Sequence, residues 1–277
     1  MVSLLQKNLL YDPQLYPESD GKPMAENTKQ YSWIVILKEN LEILFKAVPL
    51  VFIAADLLWY PFPRAEGEKA KCQAPDVMVV FGRPKGPRGS YCQWVEEQIG
   101  PQVVFEILSP GNKTPKGRRE MRKKFRFYQT YGVEEYYIYD PDTFVLRGWL
   151  RQGSKLIAIP RLTDWISPRL GIRFRPLRGQ DLEVYDPNGR KFLTSVELDE
   201  RAEQQRQRAE QEQQRAEQEQ QRAEQERQRA EQQQQRAEQA EAQLRLVVLN
   251  LLRQGMDSQQ VADLVGLSMA QIEAMQL

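Results

Sequence analysis

The stretch VVFEILSPGNK, residues 103–113, reads as a β-strand running into a turn, with one glutamate, Glu106, set among Val104, Phe105, Ile107 and Leu108. A short apolar run closed by Ser-Pro-Gly has the length and punctuation of a buried strand. An ionised carboxylate inside such a run is costly unless a cation or hydrogen-bond donors meet it. Two partners are open to Glu106: a bound cation shared with a second acid, or a basic side chain forming a buried ion pair. Which one it meets bears on both the sheet and its chemistry.

The neighbouring segments share this strand-and-helix character. Residues 28–47, TKQYSWIVILKENLEILFKA, place Trp33, Ile34, Leu37, Leu41 and Leu44 at helical spacing. Strand-like runs follow at 50–60 (LVFIAADLLWY), 75–81 (PDVMVVF), 102–108 and 134–140 (EEYYIYD), with a basic helical stretch at 117–131 before the last of them, ended by Gly132. One helix, three strands, a crossing helix and a fourth strand predict an α/β domain with a mixed sheet flanked by helices. From LRGWLRQGSKLIAIP to LGIRFR the alternation of short strands predicts a hairpin extension.

Composition narrows the chemistry. The chain has no histidine, which removes His-based triads, His-metal sites and imidazole acid–base catalysis. Its two cysteines, Cys72 and Cys92, form no CxxC pair, so neither a zinc site nor a disulfide framework is indicated. The formal net charge of +1 means that any anion-binding surface is local. No run approaches the roughly 18 apolar residues of a membrane span, and the opening MVSLLQKNLLYDPQ lacks a cleavage-like tail, so the expected location is cytoplasmic, with no membrane association.

Composition changes abruptly near residue 199, beyond which there is no Trp, Tyr or Phe. Arg-Ala-Glu recurs at 201, 208, 215, 222, 229 and 236, a strict heptad of helix-favouring residues. Each heptad offers a single apolar residue, and three positions after each Ala stand Gln205, Glu212, Glu219, Glu226 and Gln233, where a coiled coil needs Leu or Ile. Residues 199–243 therefore read as an exposed helical spacer or a weak, Ala-seamed coiled coil, on the order of 60 Å long. The tail, 244–277, predicts three short helices, with stops at Gly255 and Gly266 and capping boxes at Asp257/Gln260 and Ser268/Gln271. It resembles a helix-turn-helix, but residues 254–277 contain no Lys or Arg, which favours a protein-contact or packing module over DNA contact. The expected division is thus 1–198, 199–243 and 244–277, with a homodimer or a protein partner possible through 199–277.

Two acids stand in strand settings, Asp76 at the mouth of PDVMVV and Glu106. If their strands are neighbours, the carboxylates converge at one sheet end, and a hard cation, Mg²⁺ or Mn²⁺, would compensate them, with the Ile107 carbonyl as a further ligand. The next segment, KTPKGRREMRKKFR (113–126), holds eight cations and one acid. On a helix, Arg118, Arg119, Arg122, Lys123 and Arg126 form a broad positive face, while Lys124 shares a face with Glu120 and with Tyr128. Cations beside a carboxylate pair suit a phosphodiester substrate; the same run also reads as a merely solvated basic helix.

Taken together, PDVMVV, VVFEILSP, the helix with Lys124 and Tyr128 leading to YGVEEYYIYDP, and the upstream YPESDGKPMAENTKQY (16–31) resemble the Uma2-type endonucleases of the PD-(D/E)XK nuclease superfamily, over roughly residues 10–195. The resemblance implies a restriction-endonuclease-like core and Mg²⁺-dependent phosphodiester hydrolysis. It carries Asp76 and Glu106 over as metal-binding catalytic acids. Leu108 stands where the superfamily's lysine is expected, and the resemblance moves that role to Lys124 on the following helix, four residues before Tyr128, with Glu120 at a position where relatives carry an acid. The upstream acid is Glu18, displaced by one position from the relatives' YELIDGE-like pattern, with Glu26 as the alternative. The expectation is a DNA endonuclease that contacts nucleic acid through Lys113, Lys116, Arg118, Arg119, Arg122 and Lys123. The alternative is a non-catalytic nucleic-acid-binding or scaffold protein whose C-terminal helix recruits partners.

Overall fold

The computed structural model describes residues 12 and 14–276; the N-terminal apolar patch lies almost wholly outside them. Helix α1, Thr28–Leu44, begins at Asn27, whose side chain accepts the Gln30 N–H, and buries one stripe through Trp33, Ile34, Leu37 and Leu41. The strands that follow are β1 (Val51–Ala54), β2 (Trp59–Tyr60), β3 (Val77–Phe81), β4 (Tyr91–Cys92) and β5 (Val103–Ile107). Helix α2 (Pro115–Thr130) leads to β6 (Glu135–Asp140), β7 (Val145–Gln152) and β8 (Lys155–Ala158), then to β9 (Trp165–Ile166), β10 (Arg173–Arg175) and β11 (Glu183–Tyr185).

Six strands form a mixed sheet in the order β1-β3-β5-β6-β7-β8. Only β5 and β6 run parallel, as their α2 crossover requires; the other neighbours are antiparallel. β9–β11 make a separate three-stranded sheet, and β2 and β4 a parallel pair. The expected extension after residue 145 is therefore a hairpin of the main sheet followed by a sheet of its own.

Side-chain alternation divides the core. Val77, Val79, Val103, Phe105 and Ile107 face the layer containing α1 and β10–β11. Met78, Val80 and Val104 face the layer containing Tyr128, Phe125 and Phe127 of α2. Glu106, between Phe105 and Ile107, has the parity of the second set and points to the α2 side. The single strand expected over 50–60 is broken. Asp56 takes a left-handed conformation, φ +48°, and its N–H donates to Pro75 O at 3.1 Å, so β1 and β2 join different sheets.

Helix α3, Ser195–Arg253, spans 59 residues, and every residue from 201 to 243 is exposed. The chain divides into two compact units, Met1–Glu200 and Arg201–Leu277. In the second, α4 (Ser258–Val265) and α5 (Met269–Gln276) pack with the end of α3 around Val248, Val261, Ala262 and Ile272. Asp257 caps α4 through the Gln260 N–H at 2.8 Å, and Ser268 and Gln271 form a reciprocal capping box. Gly266, φ +72°, closes α4 in the left-handed region. No helix among the described residues is long and apolar enough to cross a membrane.

Candidate active site at the β3–β5 sheet end

β3 and β5 pair with Val77 opposite Phe105, which places Asp76 opposite Glu106 one step further along the ladder. Opposed residues of an antiparallel pair share a face, and both carboxylates line one polar cavity of about 340 Å³. The Asp76 Oδ2 accepts the Ile107 N–H at 2.6 Å, which ties the first acid to the strand of the second.

Helix α2 supplies the other wall. Thr114 caps it, accepting the Gly117 N–H at 3.0 Å, and Pro115 starts its first turn. A Cβ at position 117 would run into the Gly111 carbonyl, so only glycine lets the helix start this close to the loop after β5. Glu120, Lys124 and Tyr128 then fall on one face, four residues apart. The Lys124 Nζ donates to Glu106 Oε2 at 2.7 Å and to Ala74 O at 3.0 Å. The Tyr128 hydroxyl donates to Glu106 Oε1 at 2.6 Å. Glu106 thus meets a basic side chain, the second of the two partners that its setting allowed, and this ammonium belongs to the lysine singled out for catalysis.

The charges are strongly coupled. Burial pushes the Glu106 carboxyl up to about 7, against the pull of Lys124 and with a further push from Asp76. Burial raises Asp76 as well, partly offset by Lys124, by the Ile107 N–H and by a hydrogen bond with Gln30. Burial alone would lower Lys124, but Glu106 and Asp76 outweigh it and keep the ammonium charged. Burial also raises Asp56, with help from Asp76 and Asp20. Asp20, Glu26, Asp56, Asp76, Glu106 and Glu120 line the cavity against only Lys22 and Lys124.

The remaining sequence-derived site residues are placed unevenly. The Ile107 carbonyl accepts the Gln30 Nε2 at 3.0 Å. Glu18 is not among the lining residues: its carboxylate lies where a Cβ on Gly89 would be. Pro17 O accepts the Tyr60 hydroxyl, and the chain turns at Ser19–Gly21, so Asp20 and Glu26 reach the cavity from this segment instead. Glu26 Oε2 accepts from the Ser109 hydroxyl at 2.6 Å and from the Gly111 N–H at 3.1 Å. Lys113 is engaged by Asp140 at 2.7 Å and Asp142 at 2.8 Å, which takes it out of the set of open cations. Lys116, Arg118, Arg119, Arg122 and Lys123 are exposed, and among the described residues none forms an ion pair within 4.0 Å. They occupy three rows: Lys116 with Glu120 and Lys124, Arg119 with Lys123, and Arg118 with Arg122 and Arg126.

Sequence reading did not find Gln30, Tyr128 as a partner of Glu106, Asp56 or Asp20. Asn27-x-x-Gln30 is a capping-box spacing and Tyr128 stands four residues after Lys124, but neither signal says what the side chain will touch.

The donors at the two strand ends are all oxygens: two carboxylates and one carbonyl. Among the described residues no three acids or cysteines gather to hold an ion by themselves. Two carboxylates are nevertheless a usual protein contribution to Mg²⁺, which keeps several waters and takes further oxygens from a phosphate substrate, so the residues present fit such an ion.

No curated protein matches the chain. A crystal structure of "a putative nuclease belonging to DUF820" from Anabaena variabilis ATCC 29413 is similar at 17% identity and a TM-score of 0.37, covering 55% of this chain and 79% of that one. The family model described as "Uma2: Putative restriction endonuclease" matches residues 22–245. The match starts later than the motifs suggested and runs on through the heptad repeat, which they left out. The chain belongs to the Uma2 family.

Proposed function

We propose that the protein is a divalent-metal-dependent endonuclease that hydrolyses phosphodiester bonds of DNA. The observation that carries this reading is the convergence of Asp76, Glu106 and Lys124 in one cavity, from two adjacent strands and the crossover helix. A cavity lined by six carboxylates and two ammoniums repels a polyanion unless a cation enters with it. Asp76, Glu106 and the Ile107 carbonyl are the groups that would hold Mg²⁺ or Mn²⁺. When bound, such an ion supplies a Lewis acid for the phosphoryl oxygens and a water of lowered pKa.

The chain's own residues set the rest. Tyr128 fixes one oxygen of Glu106, leaving the other toward Lys124. The Ala74 carbonyl and Glu106 hold the ammonium at the cavity, where its remaining proton can meet a phosphate oxygen and the charge that develops there. The open cations of α2 neutralise neighbouring phosphates, the row of Lys116 lying in line with Lys124.

The test is nicking of supercoiled plasmid in Mg²⁺ or Mn²⁺, in parallel with binding measured over a range of salt. Metal-dependent nicking that is lost in Asp76→Ala, Glu106→Ala and Lys124→Ala, with melting curves showing folded variants, supports the reading. Salt-sensitive DNA binding without cleavage of any DNA or RNA form overturns it and leaves the non-catalytic binding role.

A further inference from the structure

Gln30 is polar, buried, and outside the groups that carry the proposed reaction. Its backbone N–H is held by the side chain of Asn27, so it sits on a capped first turn of α1. Its carboxamide is engaged at both ends. Nε2 donates to Ile107 O at 3.0 Å and Oε1 accepts the Glu26 N–H at 2.9 Å, while the amide's nearness helps hold the Asp76 carboxyl down against its burial. An acceptor lies at one end and a donor at the other, so a single amide orientation satisfies both.

These bonds run on, through the Ile107 peptide, into the bond from the Ile107 N–H to Asp76. This run of bonds joins α1 to the ends of β3 and β5 and contains two of the three groups assigned to the cation. A carboxylate in place of the amide would face Asp76 and a carbonyl oxygen with no proton to offer. An aliphatic side chain would leave the Ile107 carbonyl without this donor.

We propose that Gln30 is a positioning residue of the cation site: its neutral amide orients the Ile107 carbonyl, and through Ile107 the Asp76 carboxylate, and keeps the number of anionic ligands at two. The inference rests on the metal-dependent reading above and goes beyond it by naming what limits the affinity for the ion. Partners of metal ligands change metal affinity by about 10–100-fold when removed.

The test uses the full-length chain, with Mn²⁺ binding followed by calorimetry and by the paramagnetic resonance of the free ion, and melting curves recorded in EDTA and in MnCl₂. Gln30→Met is expected to weaken Mn²⁺ binding about tenfold or more. Gln30→Glu is expected to lower the melting temperature in EDTA, because a third acid joins the cluster, and to bind Mn²⁺ more tightly than wild type, with a larger rise in melting temperature on adding the ion. A side chain that served folding alone would shift both EDTA melts and leave the affinities unchanged. Gln30→Met binding within twofold of wild type, or Gln30→Glu binding no tighter than wild type, overturns the inference while the nuclease reading stands. A wild-type chain that binds no Mn²⁺ overturns both.

Discussion

Two ion pairs of similar length show how differently the two units of this chain use charge. In the first, Lys124 and Glu106 meet at 2.7 Å with side chains 22% and 3% exposed. In the second, Arg227 and Glu231 meet at 3.1 Å with side chains 74% and 58% exposed. Water screens the second pair and supplies either partner with alternatives. The first has no such reserve: removing one charge leaves the other buried without its counter-charge. Pairs of opposite charge therefore hold a site together at the sheet end and lie open to water in the repeat.

The sharpest way to break this contrast is to remove the sheet-end charges one at a time. Glu106→Gln and Lys124→Met are each expected to lower plasmid nicking by about 10²–10³-fold or more, measured at saturating Mn²⁺. If either variant retained wild-type rates, the pair would be a structural tie of no greater functional weight than those of the repeat.

Stability is the next largest effect. Lys124→Met is expected to cost about 3–5 kcal/mol in denaturant unfolding near pH 8, where Glu106 would otherwise be ionised, and less near pH 5, where the carboxyl takes up a proton instead. The wild-type chain should itself show a smaller pH dependence. Glu106 is raised from an ordinary 4.5 to about 7 in the fold, so between those values the folded chain binds more protons than the unfolded one. Its contribution to stability therefore falls as pH rises from about 4.5 to 7 and levels off above. Melting temperatures in EDTA across that range should lose this slope in Glu106→Gln.

Smaller effects are expected from exposed charges. Neutralising Arg119 and Lys123 should weaken DNA binding without abolishing it and flatten the plot of log affinity against log salt by roughly 0.9 for each phosphate that is no longer neutralised. At the bottom of the scale, a double-mutant cycle on Arg227 and Glu231 should return a coupling of about 0.5 kcal/mol or less. A coupling of several kcal/mol there would mean that the repeat buries those side chains against something in solution.

Legibility follows the same division. In the tail the capping pairs Asp257/Gln260 and Ser268/Gln271, the stop at Gly266 and the heptad helix could all be read because each depends on residues a few positions apart. The strand at Glu106, the basic helix ending before Gly132 and the flanking α1 could be read from periodicity. The break at Asp56 could not, since LVFIAADLLWY is continuously apolar apart from that residue and the left-handed backbone there is held by Pro75, nineteen positions away. Glu18 was misplaced for a related reason: spacing along YPESDGK does not show that Pro17 is anchored to Tyr60. Lys113 belongs to a cationic run, yet the acids that engage it, Asp140 and Asp142, lie on the far side of the α2 crossover.

By itself the sequence determined the first helix, the strand at Glu106 and the basic helix after it, the helicity of a repeat with one alanine per heptad, and the absence of imidazole chemistry, because these depend on residue type and short-range spacing. Only the tertiary structure decided that Asp76 stands opposite Glu106, that Lys124 and Tyr128 take one oxygen each of that glutamate, and that Gln30 joins their strands to α1. Those outcomes depend on strand register and on the seating of α2, which are set by packing between segments far apart in the chain, and the cost of burying charge then makes each partner matter.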